Sequence, residues 1–171
     1  MKSKPSPPSA ALAATPKPAD ARRRILLVDD HPFMRAGLAQ LIERQADLMV
    51  CGEAGSPAEA LQVIAKTKPD VILTDLTMPG RSGLEFVKDV IALEISGAVL
   101  VLSMHDEAVY AERALRAGAR GYIMKEAGGE ALLAAIRQVL AGEVYFSPRM
   151  SARILDSLFA RKPRGASSPI E

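Results

Sequence analysis

Side chains able to do chemistry stand directly after short apolar runs at four places in the chain. Asp29 and Asp30 follow Ile25-Leu26-Leu27-Val28, Asp75 follows Val71-Ile72-Leu73-Thr74, Ser103 follows residues 98–102, and Lys125 follows Tyr122-Ile123-Met124. If these groups converge, the three carboxylates repel one another and persist together only with a cation between them. A small set of oxygen donors suits magnesium. A carboxylate can itself attack a phosphoryl group and hold it as an aspartyl phosphate. The ammonium of Lys125 and the hydroxyl of Ser103 would then offer a charge and a donor to the phosphoryl oxygens. Taken singly, each residue has a plainer explanation: a helix cap before Pro32 for Asp29 or Asp30, turn chemistry for Asp75 and Ser103, a solvated strand end for Lys125. Those explanations do not account for the same placement at four strand ends.

The elements that must position these groups can be read from the pattern around them. The stretch KPDVILTDLTMPGRSG, residues 68–83, is an apolar strand without polar alternation that delivers Asp75 to a loop broken by Pro79, Gly80 and Gly83. A strand apolar on both faces belongs in a parallel sheet covered on both sides. Further strands are expected over residues 25–28, 48–54, 98–102 and 122–124. A helix follows each. One runs from Pro32 to near Gln45, and one starts at Ser56-Pro57-Ala58-Glu59, where a Ser cap, Pro at the first helical position and Glu at the third coincide. Ser82-Gly83-Leu84-Glu85 repeats the capping pattern and leads a helix with Leu84, Val87 and Ile91 on one face. The helix over residues 106–117 is thinly apolar, with Val109 and Leu115 its only large aliphatic groups, and the one over residues 130–140 is richly so. Strict strand–helix alternation gives a parallel sheet with helices on both faces, because crossovers are right-handed. The acids, Ser103 and Lys125 then gather at one edge, where ligands of such sheets bind.

Composition narrows the function classes. Of 171 residues, 49% are hydrophobic and 25% charged, and no apolar run approaches the ~20 residues that span a bilayer. The single cysteine, Cys51, cannot form an internal disulfide, which fits a cytoplasmic setting, and it reads as a small apolar strand residue. The net charge of +2 is unevenly spread. Residues 1–24 hold six basic residues and one acid, residues 149–171 hold five and two, and the segment 25–148 between them is therefore net −6. An acidic centre argues against nucleic-acid binding by the core itself. Arg22-Arg23-Arg24 reads as a solvated basic edge. Residues 1–23 form a basic Pro/Ala-rich segment expected to be disordered, residues 24–147 one domain, and residues 148–171 a helix followed by a linker. In that helix Ile154, Leu155, Leu158 and Phe159 make an apolar stripe suited to dimerisation or to folding back onto the domain.

The segments ILLVDDHPFMRAGL, DVILTDLTMPGRSGLE, VLVLSMHD and AGARGYIMKEA strongly resemble the receiver domain of bacterial two-component response regulators of the NarL/FixJ type, over roughly residues 24–148. The resemblance implies a flavodoxin-like sheet of order 2-1-3-4-5. It implies that Asp75 accepts a phosphoryl group from a sensor histidine kinase, and that Asp29, Asp30, Asp75 and the backbone carbonyl of Thr77 hold Mg2+, Asp30 directly. Ser103 is then the switch hydroxyl, Lys125 the phosphate-binding lysine and Tyr122 the switch aromatic. On phosphorylation the hydroxyl would move to the phosphate and the aromatic would turn inward, changing the face made by the fourth helix, fifth strand and fifth helix. Two positions depart from the wider pattern: Ser103 replaces the commoner threonine, and Glu126 follows Lys125 where many receivers carry a proline in a cis bond. His31 and His105 match no motif position and read as loop residues near the acids. Such proteins usually continue into a helix-turn-helix DNA-binding domain, which the residues after Pro148 are too few to hold. Transcriptional output through that further domain is the expectation. The alternative is a stand-alone receiver that docks onto proteins without DNA. A phosphatase-like hydrolase ranks below both, because Thr77 stands where a second catalytic acid would help.

Overall fold

The computed structural model describes residues 21–160 apart from Pro79. The expected disorder of residues 1–20 and the expected linker after residue 160 fall outside those residues. Within them, β1 (Arg23–Val28), β2 (Leu48–Ala54), β3 (Val71–Thr74), β4 (Ala98–Ser103) and β5 (Gly121–Met124) form one sheet in the order β2-β1-β3-β4-β5. Every pairing is parallel. The helices are α1 (Pro32–Glu43), α2 (Pro57–Thr67), α3 (Gly83–Ala92), α4 (Glu107–Ala117), α5 (Gly129–Leu140) and α6 (Pro148–Ala160). The strand order is the one the receiver resemblance implies. Among the described residues there is no cis peptide bond, and no helix is long and apolar enough to cross a membrane.

Alternate strand residues feed two cores. Leu26, Val28, Ile72, Val99, Val101 and Tyr122 pack against the α2, α3 and α4 side. Ile25, Leu27, Val71, Leu73, Leu100, Leu102 and Ile123 pack against the α1 and α5 side. This period of two, with both faces covered, is why β3 is buried at all four positions. The start of α2 follows its sequence pattern: Ser56 accepts a hydrogen bond from the Glu59 N–H at 3.2 Å and Pro57 occupies the first turn. A cap of this kind contributes about 1 kcal/mol.

Three expectations need correction, and the thinness of α4 holds. Ser82 makes no side-chain cap bond, and the buried face of α3 is Gly83, Phe86, Val87 and Val90, while Ile91 is exposed. The helix is rotated so that Gly83 can lie flat on Leu76; a Cβ there would come within 2.4 Å of the Leu76 backbone. In α4 the buried residues are Ala111, Ala114 and Ala117, and Val109 points out. Each buried methyl contributes roughly 0.8 kcal/mol, against about 1.5–3 for a full Leu or Ile side chain, so α4 is the lightly held helix. Arg23 and Arg24 are not a solvated edge. They open β1, with Arg24 Nε donating to the Thr67 carbonyl at 2.9 Å and Arg23 Nε facing Asp70 at 3.9 Å.

The stripe on α6 divides. Met150 is buried and Ile154 packs on the α4-side core, while Leu155, Leu158 and Phe159 stay exposed. The segment before α6 runs beside β5: the Tyr122 N–H donates to the Tyr145 carbonyl at 3.1 Å, and the Tyr145 N–H to the Arg120 carbonyl at 2.9 Å. Ser147 then donates to the Glu107 carboxylate at 2.8 Å and accepts from the Met150 N–H at 3.1 Å, tying the start of α6 to the first turn of α4.

Candidate functional site

The ladder of the sheet continues one residue beyond β1 and β3. The Asp29 N–H donates to the Ala54 carbonyl at 3.0 Å and the Asp75 N–H to the Val28 carbonyl at 2.9 Å. Backbone pairing therefore fixes two carboxylates side by side at the carboxyl edge, each only 4% exposed. Arg35 in α1 donates to the Asp29 carbonyl and pairs with Glu53 at 3.5 Å, holding the first loop against β2. From the end of β5, Lys125 reaches across so that its Nζ lies 3.0 Å from Asp29 Oδ2 and 2.9 Å from Asp75 Oδ2, with its side chain 5% exposed.

Electrostatics follow from that geometry. Burial pushes the Asp29 carboxyl up, but hydrogen bonds from the His31 backbone and ring and from Lys125 more than offset it and hold the group below the usual carboxylate range. Burial likewise pushes the Lys125 ammonium down, and its bonds to Asp75 and Asp29 outweigh this and raise it. One ammonium pairs with Asp29 and Asp75, and Asp30 lies in the same cluster, so the edge keeps an excess of negative charge. Asp30 Oδ1 is buried and has no hydrogen-bond donor. An orphaned acceptor among like charges is what a cation satisfies. Ligand atoms of Asp29, Asp30, His31 and Asp75 all lie within 4.8 Å of one another.

His31 is the residue that sequence reasoning undervalued. Its Nδ1 sits 2.7 Å from Asp29 Oδ1, 3.1 Å from Asp30 Oδ1 and 3.9 Å from Asp75 Oδ2. The hydrogen bond to Asp29 raises the pKa of the ring. The only signal in the sequence was its place directly after the acidic pair.

The remaining site residues gather on the loop after β4 rather than on the acids. Ser103 Oγ accepts from the His105 N–H at 3.0 Å, and Tyr122 OH donates to the His105 carbonyl at 2.7 Å. Burial pushes the Tyr122 phenol up to about 12, against a lowering contribution from Ser103. Tyr122 is fully buried, so the inward turn expected of it has no outward starting position in this structure. Its hydroxyl has a satisfied acceptor inside, which makes the buried position stable. The Thr77 N–H donates to Asp75 Oδ1 at 3.1 Å, and Thr77 Oγ1 meets His105 Nε2 at 2.5 Å, so the loops after β3 and β4 are joined over the acid. His105 is thus the hub of Ser103, Tyr122 and Thr77, a role that only the fold reveals.

With this geometry, comparison with known proteins is informative. The response regulator receiver domain model matches residues 25–137. The nitrate/nitrite response regulator protein NarL of Escherichia coli is 38% identical over 138 residues, covering 81% of this chain and 64% of NarL. The response regulator GacA of Pseudomonas aeruginosa is 34% identical over 148 residues, covering 86% of this chain and 68% of GacA. A LuxR-family two-component response regulator from Aurantimonas superposes with a TM-score of 0.75 at 36% identity, covering 81% of this chain and 99% of that one. The chain thus spans 64% of the length of curated relatives such as NarL.

Proposed function

This chain belongs to the response regulator receiver domain family, and on that premise we propose that Asp75 is its phosphoacceptor. The observation that carries the reading is the buried Asp75 carboxylate, held beside Asp29 by its backbone bond to Val28 and touched by the Lys125 ammonium at 2.9 Å. In the reaction an Asp75 oxygen attacks the phosphorus of a phosphohistidine on a sensor kinase. The O–P bond forms as the P–N bond breaks, and the imidazole of the kinase leaves with the electron pair. Lys125 then turns its charge from the acids to the phosphoryl oxygens, and the Ser103 hydroxyl donates to one of them. Asp29 and Asp75 are each already bonded to Lys125, whereas Asp30 Oδ1 has no hydrogen-bond donor, which supports Asp30 as a direct metal ligand. The Thr77 carbonyl completes the proposed set with Asp29 and Asp75. A bound Mg2+ supplies charge neutralisation between the acids and the incoming phosphoryl oxygens.

The domain is a phosphorylation switch whose own turnover is confined to gaining and losing that phosphoryl group. It works in the cytoplasm as residues 24–147, with residues 148–171 as a helix and connector toward output. Output is transcriptional control through a DNA-binding domain beyond this stretch, a reading supported by a Bacillus subtilis relative named a transcriptional regulatory protein. Dimers form through the exposed Leu155, Leu158 and Phe159 on α6. Incubating the chain with a small acyl phosphate and Mg2+ should add one phosphoryl group, read by intact mass, and Asp75→Asn should gain none. An equal gain in the variant overturns the assignment.

A further inference from the structure

We infer that His31 is a nitrogen ligand of the divalent cation held by the acids, which makes this site a mixed nitrogen–oxygen one that prefers Mn2+ over Mg2+. This rests on the cation reading above. In an octahedral site with bonds of about 2.1 Å, neighbouring ligands lie about 3 Å apart and opposite ones about 4.2 Å. The separations of His31 Nδ1 from Asp29, Asp30 and Asp75 oxygens, 2.7, 3.1 and 3.9 Å, fall on that pattern. A single Nδ1–H can point at only one acceptor. Here it serves Asp29 Oδ1 and leaves Asp30 Oδ1 buried without a donor. A cation set among these atoms satisfies Asp30 and takes the Nδ1 lone pair together. The ring then carries its proton on Nε2, toward water, since the side chain is 62% exposed.

The backbone prepares this arrangement. His31 occupies the position before α1, where Ser, Thr, Asp or Asn would cap the helix, yet it makes no cap bond. Pro32 restricts it to the extended conformation found, φ −96° and ψ 105°. Its own N–H is held by Asp29 Oδ1 at 2.9 Å. The side chain is thereby turned to the acids instead of the helix end. Imidazole suits first-row transition ions, whereas carboxylate and carbonyl oxygens serve magnesium and manganese alike, so one nitrogen shifts the preference toward Mn2+.

The test uses the full chain stripped with a chelator and reloaded with Mn2+. Pulsed electron paramagnetic resonance should show the 14N modulation of a coordinated imidazole, absent in His31→Gln and retained in His105→Gln. The chain has only these two histidines, so the two variants assign the nitrogen. Competition titrations should show the preference for Mn2+ over Mg2+ falling at least about tenfold in His31→Gln, the scale of loss seen even for outer-shell partners. Mn2+ bound without 14N modulation in the wild type overturns the proposal and leaves the carboxylate site standing. Modulation that survives His31→Gln overturns it also. Failure of the wild type to bind Mn2+, or binding unchanged by Asp30→Asn, overturns the cation reading along with it.

Discussion

The two edges of the sheet are built on opposite electrostatic plans. At the amino edge, opposite charges and backbone groups close on one another. The Arg24 N–H donates to Asp70 Oδ2 at 2.8 Å, the Asp70 N–H returns a bond to the Arg24 carbonyl at 2.8 Å, and the Ala98 N–H takes the Asp70 carbonyl at 2.9 Å. Even Arg23 Nε, a buried donor without a hydrogen bond, faces an acid. Packing there is backbone on backbone, since a Cβ at Gly97 would lie 2.5 Å from the Pro69 carbonyl oxygen. At the carboxyl edge, two of three clustered acids share one lysine, and a buried oxygen of the third has no donor. The contrast teaches that the fold is secured at one end of the strands so that uncompensated charge can be held at the other. Stability and reactivity should then separate by edge.

The largest effect should come from Lys125, the ammonium that pairs with two acids of the carboxyl edge. Lys125→Met leaves Asp29 and Asp75 buried without a counter-charge, and breaking such a pair costs about 3 kcal/mol. Urea denaturation in chelated buffer should show that loss, and Mg2+ should restore part of it by binding only the folded form. The initial rate of phosphoryl uptake should fall by at least about 100-fold, the scale for losing one preorganised charge partner. Unchanged stability would mean that the acids are not paired as described.

Gly97→Ala sharpens the comparison from the other side. Forcing a methyl into the Pro69 carbonyl should cost about 2 kcal/mol, while phosphoryl uptake by the folded protein should stay within about twofold of wild type by the separation of the edges. An uptake rate that fell in step with stability would break the division. Next in size, Tyr122→Phe removes the hydroxyl that anchors the loop after β4 to β5 and leaves the His105 carbonyl short of a donor, for a loss of about 1 kcal/mol. The variant should still accept phosphate, and hydrogen exchange at the His105 amide should quicken.

The smallest effect belongs to an exposed pair that serves neither edge chemistry. Arg137 donates to Asp47 at 3.0 Å, and that hydrogen bond, against the opposing effect of burial, lowers the Asp47 carboxyl from 3.8. A depressed carboxylate contributes stability above its unfolded pKa, and the contribution is lost as pH falls through the folded one. Wild type should exceed Arg137→Ala by less than about 1 kcal/mol at neutral pH, and the gap should close as pH drops below 3.8. A gap that persisted in acid would assign the effect to packing of the arginine stem.

Much of this was legible in the chain. Asp75 and Lys125 could be placed because each ends an apolar run too short and too uniform to be anything but a covered strand, and a parallel sheet puts all such ends on one edge. The strand order came only with the family resemblance, since alternation of strands and helices does not select among doubly wound orders. The face of α3 is not the one its large aliphatic side chains suggest, while the thinly apolar pattern of α4 matches its packing through alanines. Ile91 and Val109 lie outward, while Gly83 and three alanines make the close contacts. Small residues carry no hydrophobic signal, yet they are what close packing needs. His31 and His105 escaped for another reason: both act through loops, whose geometry is set by tertiary contacts that no periodicity records.

The central claim is that one carboxylate, Asp75, carries the phosphoryl group. An acyl phosphate is reduced by borohydride to an alcohol, which marks the residue that held it. After loading with a small phosphodonor and Mg2+, peptide mapping of the reduced protein should find the mark in the stretch 71–78 at Asp75 and nowhere else. A mark on Asp29 or Asp30, or a phosphorylated protein with no reducible acyl phosphate, would contradict the account.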